Sequence, residues 1–123
     1  MSVLVVDDDE SIRTLLAEII EAEGYSVVMA SEGQEAMALL KHHAPQLILL
    51  DLNMPVMSGE EFNRERVADP RLAQIPTILM TAADRMKERI AHLEITGAIA
   101  KPIELDELLK IVSTHCGAPS AEA

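Results

Sequence analysis

Five side chains at the ends of four apolar runs carry chemistry that none of them carries alone. Val3-Leu4-Val5-Val6 ends in Asp7-Asp8-Asp9, and Leu47-Ile48-Leu49-Leu50 ends in Asp51. Thr77-Ile78-Leu79-Met80 ends in Thr81, and Ala98-Ile99-Ala100 ends in Lys101-Pro102. If the runs are parallel strands of one sheet, Asp7, Asp8, Asp51, Thr81 and Lys101 converge on one crevice at the carboxyl edge. Carboxylates packed together repel one another, and a divalent cation relieves them. A few carboxylate ligands with water completing the shell suit Mg²⁺ better than a softer metal. No His or Cys cluster competes, since His42 and His43 sit at a helix end and His92 and His115 are scattered. A metal also masks charge on an incoming phosphoryl group, which leaves Asp51 able to act as nucleophile and form an aspartyl phosphate. Lys101 offers a point charge to a phosphoryl oxygen, and Thr81 a hydrogen-bond donor. Phosphoryl transfer asks for little else than such positioning and electrostatics.

The elements that must hold these groups are legible in the spacing. Leu47 to Leu50 does not alternate with polar residues, so both faces of that strand should be covered. Strands are expected at Val3–Val6, Tyr25–Ala30, Leu47–Asp51, Thr77–Met80 and Ala98–Ala100. Ile12, Leu15, Leu16, Ile19 and Ile20 form a helical stripe over Glu10 to Ala22, and Gly24 suits its stop. Ser31-Glu32-Gly33 reads as a turn before a helix from Gln34 to His42, with Pro45 beyond its end. Ser58 can cap a helix from Glu60 to Ala68, although Phe62 and Val67 make no clean stripe, and Asp69-Pro70 closes it. Asp84 can cap a helix carrying Met86, Ile90 and Leu93. A last helix, Glu104 to Ser113, turns Leu105, Leu108, Leu109 and Val112 inward and places acids in its first turn. Strand and helix alternate five times, which implies an α/β fold: a doubly wound, five-stranded parallel sheet with helices on both faces. In the flavodoxin-like order 2-1-3-4-5 the first and third strands are neighbours where the winding reverses, so Asp7, Asp8 and Asp51 lie side by side.

The whole chain suits one domain. It has 123 residues, 49% hydrophobic but only 2% aromatic, so its core must be aliphatic. A net charge of −11 argues against direct binding to nucleic acid or an anionic membrane, because both need cationic surface. The single cysteine, Cys116, cannot form an internal disulfide and fits a reducing compartment. Asp7 to Glu10 interrupts the apolar start, no run is long enough to span a membrane, and a cytoplasmic setting is expected. Residues 1–116 are expected to form the domain and 117–123 a flexible tail or linker stub.

Val5-Val6-Asp7-Asp8-Asp9, Leu49-Leu50-Asp51-Leu52-Asn53-Met54-Pro55, Met80-Thr81-Ala82 and Ala100-Lys101-Pro102 together resemble the response-regulator receiver domain (CheY-like) of bacterial two-component systems. Each motif is weak alone; four in order, each at an expected strand end, are specific. The resemblance implies that Asp51 accepts a phosphoryl group from a phosphohistidine of a sensor histidine kinase or a histidine phosphotransfer protein. It implies Mg²⁺ held by Asp8, Asp51 and the backbone carbonyl of Asn53, with Asp7 holding a metal-bound water. Thr81 would be the switch hydroxyl, Lys101 the partner of the phosphoryl group, and Lys101-Pro102 a cis peptide. It further implies a signalling switch rather than an enzyme, catalysing only its own phosphorylation and dephosphorylation. Such a switch would act on an unknown downstream protein, as a monomer or a weak phosphorylation-dependent dimer.

Two features depart from the family's pattern. Ala98 stands three residues before Lys101, where many receivers carry Tyr or Phe, and the stretch from Thr81 to Lys101 is short. The rival readings are a non-switching pseudo-receiver, and a receiver excised from a larger regulator with an effector domain. A haloacid-dehalogenase-like phosphatase would want an Asp where Asn53 stands. A flavodoxin-like flavin carrier would want a phosphate-binding loop and aromatics that this sequence lacks.

Overall fold

Leu47–Asp51 forms the central strand, β3, and every one of its residues is buried. Covered on both faces, it has no polar position before the terminal acid, as the unbroken apolar run requires. The computed structural model describes residues 2–51, 58–82 and 93–117. Its strands are β1 (Ser2–Val6), β2 (Ser26–Ala30), β3, β4 (Thr77–Ala82) and β5 (Gly97–Lys101). All pairings are parallel, in the order β2-β1-β3-β4-β5. The described helices are α1 (Glu10–Ala22), α2 (Gly33–Leu40), α3 (Gly59–Ala68), α4 (Pro70–Ala73) and α5 (Leu105–Cys116). None of the described helices is long and apolar enough to cross a membrane.

Successive strand residues serve opposite faces. Val3, Val5, Leu47, Leu49, Ile78, Met80 and Ile99 pack with Leu16 and Ile20 of α1 and with Leu108, Val112 and Cys116 of α5. Leu4, Val6, Ile48, Leu50 and Leu79 pack with Ala36 and Leu40 of α2, Phe62 of α3 and Leu72 of α4. Two aliphatic layers thus clamp the sheet, and the register between strands fixes what stands at its carboxyl edge.

Several boundaries differ from the sequence expectation for local reasons. Tyr25 precedes β2 rather than starting it, and its hydroxyl donates to the Gly117 carbonyl at 2.6 Å. Helix α2 starts at Gly33, because Glu32 takes the capping role and accepts from the Glu35 N–H. It stops at Leu40, and His42 and His43 form a turn back to the Leu39 carbonyl. Ser58 caps α3 as expected, accepting from the Glu61 N–H at 3.1 Å. Asp69-Pro70 closes α3 but also opens α4, with Asp69 accepting from the Arg71 N–H and Pro70 at a first-turn position.

Beside Phe62 the inward face of α3 is polar, which is why the helix shows no apolar stripe. Asn63 and Arg66 are each 2% exposed. Arg66 donates to Asn63 Oδ1, to the carbonyls of Leu72, Ala73 and Ile75, and to the Glu94 carbonyl at 2.7 Å. Asn63 Nδ2 donates to that same Glu94 oxygen. This network ties α3 and α4 to the stretches leading into β4 and β5. Burial holds the Arg66 guanidinium below its ordinary pKa. The expected helix at Asp84, with Met86 and Ile90, and the expected tail beyond Gly117 lie outside the described residues.

Candidate functional site

The register brings the sequence's reactive groups to one edge. Val6 pairs with Leu50 and Ala30, Asp51 with Met80, Thr81 with Ala100, and Ala82 with Lys101. The residue after Val6, Asp7, therefore stands beside Asp51 at the switch point between β1 and β3. One carboxylate oxygen from each of Asp7, Asp8 and Asp51 lies within 4.8 Å of the others. Asp7 and Asp51 are buried at 0% and 3% exposure, whereas Asp8 is open to solvent.

Lys101 Nζ faces both buried acids, 3.4 Å from Asp51 Oδ1 and 3.6 Å from Asp7 Oδ2. One ammonium against three carboxylates leaves the edge with an excess of negative charge. The Lys101-Pro102 peptide is cis. Among the described residues, Thr81 Oγ1 and Asp7 Oδ2 are buried without a hydrogen-bond partner. Buried polar atoms are ordinarily hydrogen-bonded, so the unbonded Thr81 hydroxyl, beside an Asp7 oxygen held only by the long ion pair to Lys101, marks a place for a ligand. The donor set, three oxygen ligands with one acid open to water, fits a hard divalent cation such as Mg²⁺.

Hydrogen bonds fix the loop that carries the first two acids. Asp7 N–H donates to the Ala30 carbonyl at 3.1 Å, and Asp7 Oδ1 accepts from Asp9 N–H at 2.9 Å. Asp9 caps α1 by accepting from the Ser11 and Ile12 N–H groups. Arg13 Nη1 donates to the Asp7 carbonyl at 2.8 Å. Sequence reasoning missed Arg13, because a hydrogen bond to a backbone carbonyl leaves no residue-type pattern; only its place one turn into the helix after the acidic loop hints at it.

Asp7, Asp8, Asp51 and Lys101 are thus brought together, and Thr81 stands one residue before the end of the neighbouring strand β4. Asn53 lies outside the described residues, as does His92. Cys116 is buried in the core, far in the sequence from any of these groups. Ala98, like Leu93 and Ile95, packs against the buried layer that holds Leu40 of α2 and Phe62 of α3.

The family described as the response regulator receiver domain matches residues 3–113. The chain is 34% identical over 118 residues to the polar-differentiation response regulator DivK of Brucella anthropi, covering 94% of this chain and 96% of that one. It superposes on the chemotaxis response regulator CheY4 of Vibrio cholerae with a TM-score of 0.83 at 31% identity, covering 92% and 96% of the two chains. The receiver domain of a sensor histidine kinase from Pseudomonas aeruginosa, whose structure has a magnesium ion coordinated in its active-site cleft, gives a TM-score of 0.86 at 25% identity, covering 95% and 98%. These matches favour neither the phosphatase nor the flavin-carrier reading. With its 2-1-3-4-5 sheet and its acids gathered at the switch point, this chain belongs to the response-regulator receiver domain family, the phosphoacceptor signalling modules of two-component systems.

Proposed function

We propose that Asp51 is the phosphoacceptor of a receiver that takes its phosphoryl group from a phosphohistidine on a sensor histidine kinase or a histidine phosphotransfer protein. The observation that carries this reading is the buried Asp51 carboxylate facing the Lys101 ammonium beside Asp7. An Asp51 oxygen attacks phosphorus, forming the O–P bond as the P–N bond breaks. The imidazole nitrogen keeps the bonding electrons and takes up a proton. Lys101 neutralises charge on an equatorial phosphoryl oxygen, and Thr81 Oγ1 donates a hydrogen bond to another. Asp7, Asp8, Asp51 and the Asn53 carbonyl would hold Mg²⁺, which when bound supplies charge neutralisation for the entering phosphoryl group. Asp8, the exposed member, faces the route by which ion and donor arrive.

The phosphoryl group then biases an equilibrium between two surface states that a downstream protein reads. The module acts in the cytoplasm without direct contact to nucleic acid or membrane, as a monomer or a weak phosphorylation-dependent dimer. Its docking surface for the phosphohistidine protein is the apolar groove of about 260 Å³ between α1 and α5. Lys101 lines both this groove and the acidic edge, and Leu15 and Leu105 at the groove are 51% and 50% exposed.

Incubation with Mg²⁺ and a small acyl phosphate, followed by intact-mass measurement, tests the reading. Wild type gains a phosphoryl group only with the metal present, and Asp51→Asn gains none. Equal labelling of the two proteins contradicts it.

A further inference from the structure

We propose that Arg13 is the positioning residue of the acidic edge, setting the orientation of Asp7 and Asp8 and hence the affinity of the site for a divalent cation. This rests on the reading of Asp7, Asp8 and Asp51 as the acids that hold that cation, directly or through a bound water. The Asp7 carbonyl that Arg13 Nη1 holds at 2.8 Å belongs to the peptide joining Asp7 to Asp8. That peptide is a rigid plane with the two acid-bearing Cα atoms at its ends. Gripping its oxygen fixes the plane, and with it the direction in which both side chains leave the backbone.

The grip is needed there because the ladder stops. Pairing of β1 with β2 ends at Val6 and Ala30, whose carbonyl takes the Asp7 N–H, so the Asp7 carbonyl on that same side lies beyond the sheet's regular hydrogen bonding. Asp7 is fully buried, and an unsatisfied carbonyl in such a place is costly. The other polar atoms of Asp7 are already assigned: its N–H goes to Ala30, Oδ1 takes the Asp9 N–H, and Oδ2 faces Lys101. The carbonyl is the remaining degree of freedom, and a half-buried side chain from α1 removes it.

The charge of Arg13 is also felt on the α2 side. The Glu35 carboxyl is held below its ordinary range, first by hydrogen bonds from the Ser31 N–H and hydroxyl and in smaller part by the charge of Arg13.

The sign of the effect separates positioning from charge. A guanidinium near a divalent cation repels it, so a purely electrostatic role predicts that removing Arg13 tightens binding. Positioning predicts weaker binding. A merely structural role lowers global stability and leaves the folded protein's affinity unchanged.

The test is titration of the full chain with Mn²⁺, reading free ion by electron paramagnetic resonance at fixed ionic strength, with urea unfolding in chelator as the check on folding. Arg13→Ala and Arg13→Gln should raise the Mn²⁺ dissociation constant about tenfold, as loss of a ligand-orienting partner does. Arg13→Lys, which keeps a donor and the charge, should recover part of that loss and serves as the reporting variant if Arg13→Ala does not fold. Unchanged or tighter binding in the folded variants, with wild type binding normally, overturns the role of Arg13 alone. Failure of wild type to bind Mn²⁺ overturns the ligand reading beneath it.

Discussion

Lys101 Nζ stands between Asp51 Oδ1 at 3.4 Å and Asp7 Oδ2 at 3.6 Å, so one side chain from the edge strand β5 bridges acids from β1 and β3. Its side chain is 34% exposed while both acids are buried, so the bridge is open to solvent on the lysine side only. Lys101→Met leaves two buried carboxylates facing each other. It should lower stability in chelator by about 2 kcal/mol, less than a fully buried pair loses. Mg²⁺ should raise the urea midpoint of Lys101→Met more than that of wild type, because the cation then replaces the charge that Lys101 supplied to both acids. Equal Mg²⁺-induced shifts in the two proteins would argue against a shared site.

The α3 network makes a prediction of a different kind. Arg66→Ala strands the Ala73 carbonyl and Asn63 Oδ1 and takes one donor from the carbonyls of Leu72, Ile75 and Glu94, which keep another, and should cost about 3 kcal/mol. Asn63→Leu with Arg66→Met removes both polar partners and fills the space, and should cost much less than the sum of the single changes. Urea denaturation of the four proteins in the cycle checks this, and additive losses would contradict a coupled network.

The legible parts of this fold are those whose signal is local. A strand end reads as an apolar run stopped by an acid, a hydroxyl or a lysine, and Asp51, Thr81 and Lys101 each announce themselves that way. Helix α1 reads because its cap, stripe and glycine stop lie within one segment; Gly24 adopts φ 96° as that stop. Arg66 does not read, because its partner Glu94 is 28 residues away and is met through a backbone oxygen. Asn63 and Arg66 look like solvent-facing helix residues until the stretch before β5 is placed against them. Arg13 is hidden for the same reason, since any residue's carbonyl could have been its acceptor.

The α5 end should set an alkaline limit. Burial raises the Cys116 thiol above its ordinary pKa, and burial followed by the charges of Cys116 and Glu23 raises the Tyr25 phenol. Both groups stay neutral in the folded chain after they ionise in the unfolded one. The unfolded state then binds fewer protons, so stability falls as pH rises above the unfolded thiol's pKa of about 8.5. The slope is at most about 1.4 kcal/mol per pH unit for each proton. Urea midpoints between neutral and alkaline pH should show this decline, and Cys116→Ala should flatten its first part. Tyr25→Phe should cost about 1 kcal/mol at neutral pH by losing the bond to the Gly117 carbonyl.

Docking and chemistry can be separated at the groove beside Lys101. Leu15→Ala and Leu105→Ala should each slow phosphoryl transfer from a phosphohistidine protein about tenfold, the effect of about 1.4 kcal/mol of lost contact. Labelling by a small acyl phosphate should be unchanged, since that donor needs only the acidic edge. Equal slowing with both donors would mean that the substitutions disturb the site rather than a docking surface.

The residue on which the phosphoryl group lands decides whether Asp51 is the acceptor. Borohydride reduction of the phosphorylated protein converts an aspartyl phosphate to homoserine, which tandem mass spectrometry locates by residue. Homoserine at position 51, formed only when Mg²⁺ and phosphodonor were both present, is the predicted result. Homoserine at Asp7 or Asp8, or none at all from protein that carries the phosphoryl group, would contradict Asp51 as the acceptor.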